Sequence, residues 1–294
     1  MTSSSSTFTV AYAINPRAPF RSASDWGYRT HRSAAVVPAP APAIRILGPI
    51  EVWGVDGQVP LGGPRQAALL ACLTVNANRA VSTDQLSDWL WNGGRARTAS
   101  RLQMAVLRLR HSLAAASGRR GPLVETVHGG YRLSVPPDAI DSGRLGELVS
   151  QGQRALQRDD AGRARALLNS ALSLWRGPAL ADVNYHDFAQ PEIRRLEELR
   201  ITALEARFDA DLQLGRHREI VAELSALLLE HPTREHLAAQ LMRALYRGGR
   251  QADALAVYGR VRVHLARELG LEPGPQLAAI QRRILCHDLP PLGG

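Results

Sequence analysis

The chain has 294 residues, with 36 basic and 27 acidic side chains and a formal charge of +9; every basic one is arginine, since no lysine occurs. The missing lysine excludes a Walker-A phosphate loop, a Schiff-base nucleophile and a kinase-type site, and argues against a lysine-dependent phospho-receiver. The longest apolar stretch, Ala67 to Val75, is too short to cross a bilayer, and no basic-then-apolar leader opens the chain.

Residues 1–43 hold a serine run, Ser3 to Ser6, and an extended Pro38-Ala39-Pro40-Ala41-Pro42 spacer, so a disordered tail is expected there. Order is expected from Ile44. Ile44 to Leu47 and Ile50 to Trp53 read as strands, Asp56-Gly57 as a turn, and Val59 and Leu61 as the start of a returning strand. Pro64 suits the first position of a helix through Val75, because the N–H it lacks would have had no partner. Ser82 with Gln85 forms a capping box for a helix through Trp89 and Trp91, which Gly93-Gly94 breaks. A third helix spans about Thr98 to Ala115. Val124 to Val127 and Tyr131 to Leu133 then form a hairpin around His128-Gly129-Gly130, and Pro136-Pro137 closes the domain. Strands, three helices and a hairpin, in that order, predict a winged helix-turn-helix of the OmpR type over 44–137, with the third helix in the position of DNA reader.

The remainder, 138–294, reads as helical throughout, at about 141–157, 160–175, 190–213, 217–230, 234–247, 251–269 and 275–286. Gly215-Arg216 recurs as Gly249-Arg250, 34 residues later, which is the tetratricopeptide period; a weaker third copy falls at Gly162-Arg163. The expected fold is therefore mainly α: an α+β winged helix followed by an all-α, tetratricopeptide-like repeat domain.

Charge divides along the same line. Residues 1–43 carry net +3, residues 44–137 carry net +6, and residues 138–294 hold twenty-one charges of each sign. On the third helix Leu102, Val106, Leu109 and Leu113 share one face at about 100° per residue. The opposite face presents Arg97, Ser100, Arg101, Met104, Leu107, Arg108 and His111, flanked by Gln103 and Arg110. No acid occurs between Ser100 and Glu125. A long acid-free arginine face suits double-stranded DNA. Cations neutralise phosphates, while arginine reads guanine and glutamine reads adenine through paired hydrogen bonds. Arg101, Gln103, Met104, Leu107 and Arg108 are expected at base edges. Arg65, Arg97, Thr98, Arg110, His128 and Arg132 are expected at phosphates or on the wing.

Catalytic patterns are lacking. His231 and His236 do not have zincin spacing, Asp159-Asp160 suits a helix start, the glycine pairs are too short for a phosphate loop, and no Gly-x-Ser-x-Gly occurs. Cys72 and Cys286, far apart, read as free thiols in a reducing cytoplasm and make no zinc site. No enzyme activity, metal, cofactor or membrane partner is expected.

Distributed matches make the chain resemble the antibiotic-regulatory-protein (SARP) family of actinobacterial activators over about Ile44 to Asp288. They include Leu47-Gly48-Pro49, Leu86 to Trp91, Leu102-Gln103, Arg108-Leu109-Arg110 and Gly129 to Leu133. Others are Leu174 to Leu180, Glu197 to Arg200, His231 to Glu235, Leu241 to Tyr246, Gly249 to Leu255 and Glu268 to Gly274. The resemblance implies a winged helix plus bacterial transcriptional activation domain, acting in the cytoplasm at the nucleoid as a cluster-situated activator of secondary-metabolite genes. It implies binding to promoter direct repeats as side-by-side pairs and recruitment of RNA polymerase holoenzyme, in a small member without an appended ATPase or sensor. The chain departs from the family at Arg95-Ala96, where members have Pro-Pro, and at Ala105 and Leu107, where they have an aromatic residue and a serine, so family base specificity does not transfer. Two other readings remain open at this point: a helical-repeat adaptor, or a ligand-responsive repressor whose helical domain holds a protein or small molecule.

Overall fold

The computed structural model describes residues 43–54, 56–91, 98–116 and 123–288. Residues 1–42 of the tail read as disordered, with Arg95, Ala96 and Arg97, lie outside them. The order of elements follows the expectation closely. Strands β1 (Ile44–Arg45), β2 (Glu51–Gly54) and β3 (Gly57–Val59) form an antiparallel sheet in that order. Helix α1 (Pro64–Val75) begins with its proline in the first turn, and Ala67 to Leu73 are buried along it. Such all-round burial explains why α1 is rich in alanine and leucine instead of amphipathic.

Helix α2 (Thr83–Trp91) has the predicted capping box: the Gln85 N–H donates to Ser82 Oγ at 3.1 Å, and the Ser82 N–H donates to Gln85 Oε1 at 3.3 Å. Helix α3 (Thr98–Ala116) follows, and then the hairpin of β5 (Leu123–Val127) and β6 (Gly130–Ser134). One strand escapes sequence reading. The pair Val81–Ser82, strand β4, adds to the hairpin in the order β4-β6-β5, with Val81 opposite Tyr131 and Ser82 opposite Gly130. This corrects the reading of Gly129-Gly130 as two turn glycines. Gly129 turns the chain at φ 75°, whereas Gly130 is a strand residue on which a Cβ would lie 2.0 Å from the Val81 carbonyl oxygen.

The helical part comprises α4 (Asp141–Leu156), α5 (Ala161–Leu172), α6 (Gln190–Gln213), α7 (His217–Glu230), α8 (Glu235–Arg247), α9 (Gln251–Leu269) and α10 (Pro275–Leu285). The 34-residue period corresponds to the pairs α6/α7 and α8/α9. Gly215 and Gly249 take the same left-handed turn, at φ 76° and 80°. The third copy is the α4/α5 pair, but its left-handed residue is Asp159, at φ 57°, not Gly162. Asp160 then caps α5 by accepting the Arg163 N–H at 3.0 Å.

Two apolar cores result, and their border does not follow the composition. The first runs without a break from Ile44 through the winged helix to Ala210 in α6; the second runs from Phe208 to Ile284. The first core includes residues on both sides of Pro136-Pro137, so α4 to α6 pack on the winged helix. The long α6 joins the cores, with Leu196, Ala203 and Ala206 in the first and Phe208 and Leu212 in the second.

Segment 173–189, between α5 and α6, is what the winged helix rests on. The Arg176 N–H donates to the Leu47 carbonyl (2.8 Å), Leu180 to Ile46 (2.8 Å) and Ala181 to Gly48 (3.2 Å). Asp182 accepts the Ile50 N–H at 2.6 Å, and the Asp141 carboxylate accepts from Ile46 (2.8 Å) and Leu47 (3.0 Å). Arg176 closes the clasp: its guanidinium lies 2.7 Å from Glu51, donates to the Pro49 carbonyl at 3.0 Å and sits 3.7 Å from Asp141. Asp141 is 1% exposed, and burial pushes its carboxyl above the ordinary range against the pull of the Leu47 and Ile46 N–H groups and Arg176. Farther along, the Trp89 ring of α2 packs against Phe188 at 5.5 Å between centroids.

Candidate nucleic-acid interface

Helix α3 is fixed on three sides. Its stripe of Leu102, Val106, Leu109 and Leu113 is buried in the first core, where α3 packs on α1, α2 and the first sheet. From α1, Gln66 donates its side-chain amide to the Ala105 carbonyl at 3.2 Å. From the wing side, Arg110 donates through Nε to the Val124 carbonyl and through Nη2 to Thr126 Oγ1, both at 2.8 Å. These bonds tie the helix to strand β5.

What is left outward is the other half of the helix. Ser100, Arg101, Gln103, Met104, Leu107, Arg108 and His111 are all exposed, with Met104 at 51% and Leu107 at 45%. Among the described residues Arg101 and Arg108 make no ion pair, and the stretch contains no acid to offer one. Two full cations therefore remain available to an anionic partner without first breaking an ion pair among the described residues.

The residues expected at phosphates divide. Arg65 is exposed in the first turn of α1, a helix start with Gly63 at φ 108° and no side-chain cap. The Gln66 and Ala67 N–H groups of that turn already donate to the Gly63 carbonyl, at 3.0 and 3.2 Å, so the exposed Arg65 guanidinium is the charge this helix start offers. His128 is exposed at the tip of the wing turn. Arg132 is engaged, with Nε 3.0 Å and Nη2 2.5 Å from Glu125 Oε2 across the β5–β6 pair. Arg110 is engaged as described. Arg97, and the side chain of Thr98, lie outside the described residues.

The tether of Arg110 and the docking of Gln66 were not read from the sequence. Nothing short of the packed fold indicates them, because each joins a helix residue to a backbone carbonyl of a different element. Among the described residues, no helix is long and apolar enough to cross a membrane, and no group of three potential metal ligands occurs. Cys72 is buried in α1, and burial pushes its thiol up to about 12, which makes it unreactive; Cys286 is exposed and free.

Three helices, a three-stranded wing sheet and an unpaired cationic outer face on the third helix define a winged-helix regulator joined to a helical-repeat domain. Comparison with known proteins agrees on both halves. Residues 57–133 match the family "Transcriptional regulatory protein, C terminal", and residues 140–285 match "Bacterial transcriptional activator domain". The regulatory protein DnrI of Streptomyces peucetius is 37% identical over 251 residues, covering 83% of this chain and 92% of DnrI. Regulatory protein AfsR of Streptomyces griseus is 40% identical over 86% of this chain, which spans 26% of AfsR. The solved structure of Mycobacterium tuberculosis EmbR in complex with a low-affinity phosphopeptide superposes with a TM-score of 0.78 at 37% identity, covering 84% of this chain and 65% of that one. The chain belongs to the SARP family of transcriptional regulators.

Proposed function

We propose that the protein is a sequence-specific DNA-binding activator of a secondary-metabolite gene cluster. It binds direct repeats near promoters, as side-by-side pairs, and helps recruit RNA polymerase through its helical domain. The observation behind this reading is the outer face of α3, where Arg101, Gln103, Met104, Leu107 and Arg108 stand exposed and acid-free on a helix held from behind. In this reading those five side chains meet base edges in the major groove, Arg65, Arg97 and Thr98 meet phosphates, and His128 and Arg132 serve the wing. Arg110 was expected at a phosphate; its two bonds to β5 favour a role in holding the wing against α3.

The similarity to regulatory protein DnrI of Streptomyces peucetius and to transcriptional regulator RedD of Streptomyces coelicolor supports the regulatory part of this reading. A DNA-bound role would place the protein in the cytoplasm, at the nucleoid. Footprinting of the full chain on the intergenic regions beside its own gene, with competitor DNA at near-physiological salt, tests the reading. Protection of two direct repeats about one helical turn apart, roughly 10–11 bp centre to centre, is the expected result. Folded protein that protects nothing would overturn it.

A further inference from the structure

The outer face of α3 is not uniformly cationic. Placing residues at about 100° each around the axis, Arg101 and Arg108 fall on one edge, Met104 at the centre, and Leu107 beside Gln103 on the edge nearest Arg110. Arg110 is bonded to β5, so the Leu107 edge is the one that adjoins the wing. Met104 and Leu107 are large apolar side chains left half in water, one helical step apart, in a helix whose own core stripe is already complete. Neither belongs to the first core or to the partly buried residues packed against it. An exposed apolar pair beside two guanidinium groups that have no ion-pair partner among the described residues fits a surface that is apolar in places and anionic around them.

We infer that Met104 and Leu107 read the C5-methyl groups of adjacent thymines in the major groove, while Arg101 and Arg108 read guanines beside them. The inference rests on the proposed function and specifies what that face recognises. In the major groove the thymine methyl is the base feature that rewards an apolar side chain, as the guanine acceptors reward arginine. Successive bases on one strand lie about 3.4 Å apart along the axis. Side chains three apart on a helix start about 5–6 Å apart at Cβ. Two neighbouring methyls are therefore within reach of the pair. Each half-site should hold a T-T element on the wing side of its guanines.

The test uses the full chain and duplexes selected by it from a random 20-bp library at near-physiological salt. Each thymine of the selected half-site is replaced in turn by uracil, which removes the methyl and leaves pairing intact. Affinity should fall about fourfold at each of two adjacent positions, the factor that burying one methyl-sized group provides. In Leu107→Ala one of those positions should become insensitive to uracil, and in Met104→Ala the other. Both side chains are half exposed, so circular dichroism and melting should match the parent protein. A selected site without such thymines, or uracil tolerated throughout, overturns the inference while specific binding stands. So does uracil sensitivity that persists in both variants. Selection that enriches no sequence at all would instead overturn the proposed function.

Discussion

Arginine is used in opposite ways on the outer face of α3 and in the helical half of this molecule. Among the described residues from 138 onward, the arginines matched by carboxylates include Arg154, Arg165, Arg176, Arg195, Arg200, Arg207, Arg216, Arg234, Arg250 and Arg262. Several of these tie elements together. Arg207, 4% exposed in α6, lies 2.6 Å from Glu223 of α7, while Arg165 of α5 holds the buried Asp211 at 2.6 Å, so the site where the two cores meet is stitched by charge. In the winged helix Arg101 and Arg108 are left without such partners on a face that has no acid. The same side chain is structural where its charge is matched inside the protein, and available for recognition where it is not.

The most damaging way to break that contrast is to empty the clasp. Asp141→Ala should cost about 3–5 kcal/mol of stability, because it leaves the Ile46 and Leu47 N–H groups buried without an acceptor and Arg176 short of a counter-charge. Urea unfolding checks it, and a loss below about 1 kcal/mol would mean that the clasp is decorative. Arg101→Ala and Arg108→Ala should do the reverse. Stability should stay within about 0.5 kcal/mol of the parent, as for other exposed positions, while each variant loses roughly 1–3 kcal/mol on the selected site and relaxes specificity there. Stability loss in either would show that these arginines have internal work after all.

Arg110 sits between the two uses and sharpens the comparison. As a wing tether, Arg110→Ala should lower stability by about 1 kcal/mol, the net worth of a typical internal hydrogen bond. Its loss of affinity should be greater on the selected site than on random DNA, because the wing and α3 lose their common frame. As a phosphate contact, the same variant would weaken all sequences alike and reduce the salt slope by about one. Binding isotherms at three salt concentrations, on selected and random duplexes, separate the two.

Most of the fold was legible because its signals are local. The capping box at Ser82, the turn glycines Gly215 and Gly249 and the stripe of Leu102 to Leu113 each declare themselves within a few residues. The clasp was not legible, although both of its segments stand out in the sequence. Leu47-Gly48-Pro49 and Leu174 to Leu180 stood out as separate family-like stretches, and only the fold reveals that they bind each other, with Arg176 reaching Pro49 across 127 residues. Backbone carbonyls and N–H groups do most of the holding there, and they leave no mark on composition. Strand β4 was missed for a related reason: two residues are too few to show alternation, and its clearest trace is a glycine, Gly130, on the partner strand. On the candidate interface, exposure of the outer face followed from periodicity, but the engagement of Arg110 and Arg132 depended on a wing whose approach only the tertiary structure defines.

The smallest expected effect concerns the histidines of the helical half, where charge matching also governs protonation. His236 of α8 faces Asp209 of α6 at 3.1 Å, with Gln240, Glu205 and Arg243 around it. The hydrogen bond to Asp209 holds its pKa above the ordinary 6.5, against the effect of burial. A raised pKa means that the folded state binds this proton more tightly than the unfolded chain. Its stabilisation is therefore complete below about 6.5 and fades as pH rises through the higher folded value. His217 of α7 is shifted the other way, by burial first and then by the nearby Arg247 charge, so its contribution holds above 6.5 and fades as pH falls through the lower folded value. Stability measured from pH 5 to 8.5 should therefore decline at both ends. His236→Gln should flatten the alkaline decline alone, and His217→Gln the acid one. Both groups are partly exposed, so screening keeps each change small. Should His236→Gln instead alter the acid limb, the pairing with Asp209 would not be what sets its proton affinity, and the matched-charge account of this half would lose its clearest titratable example.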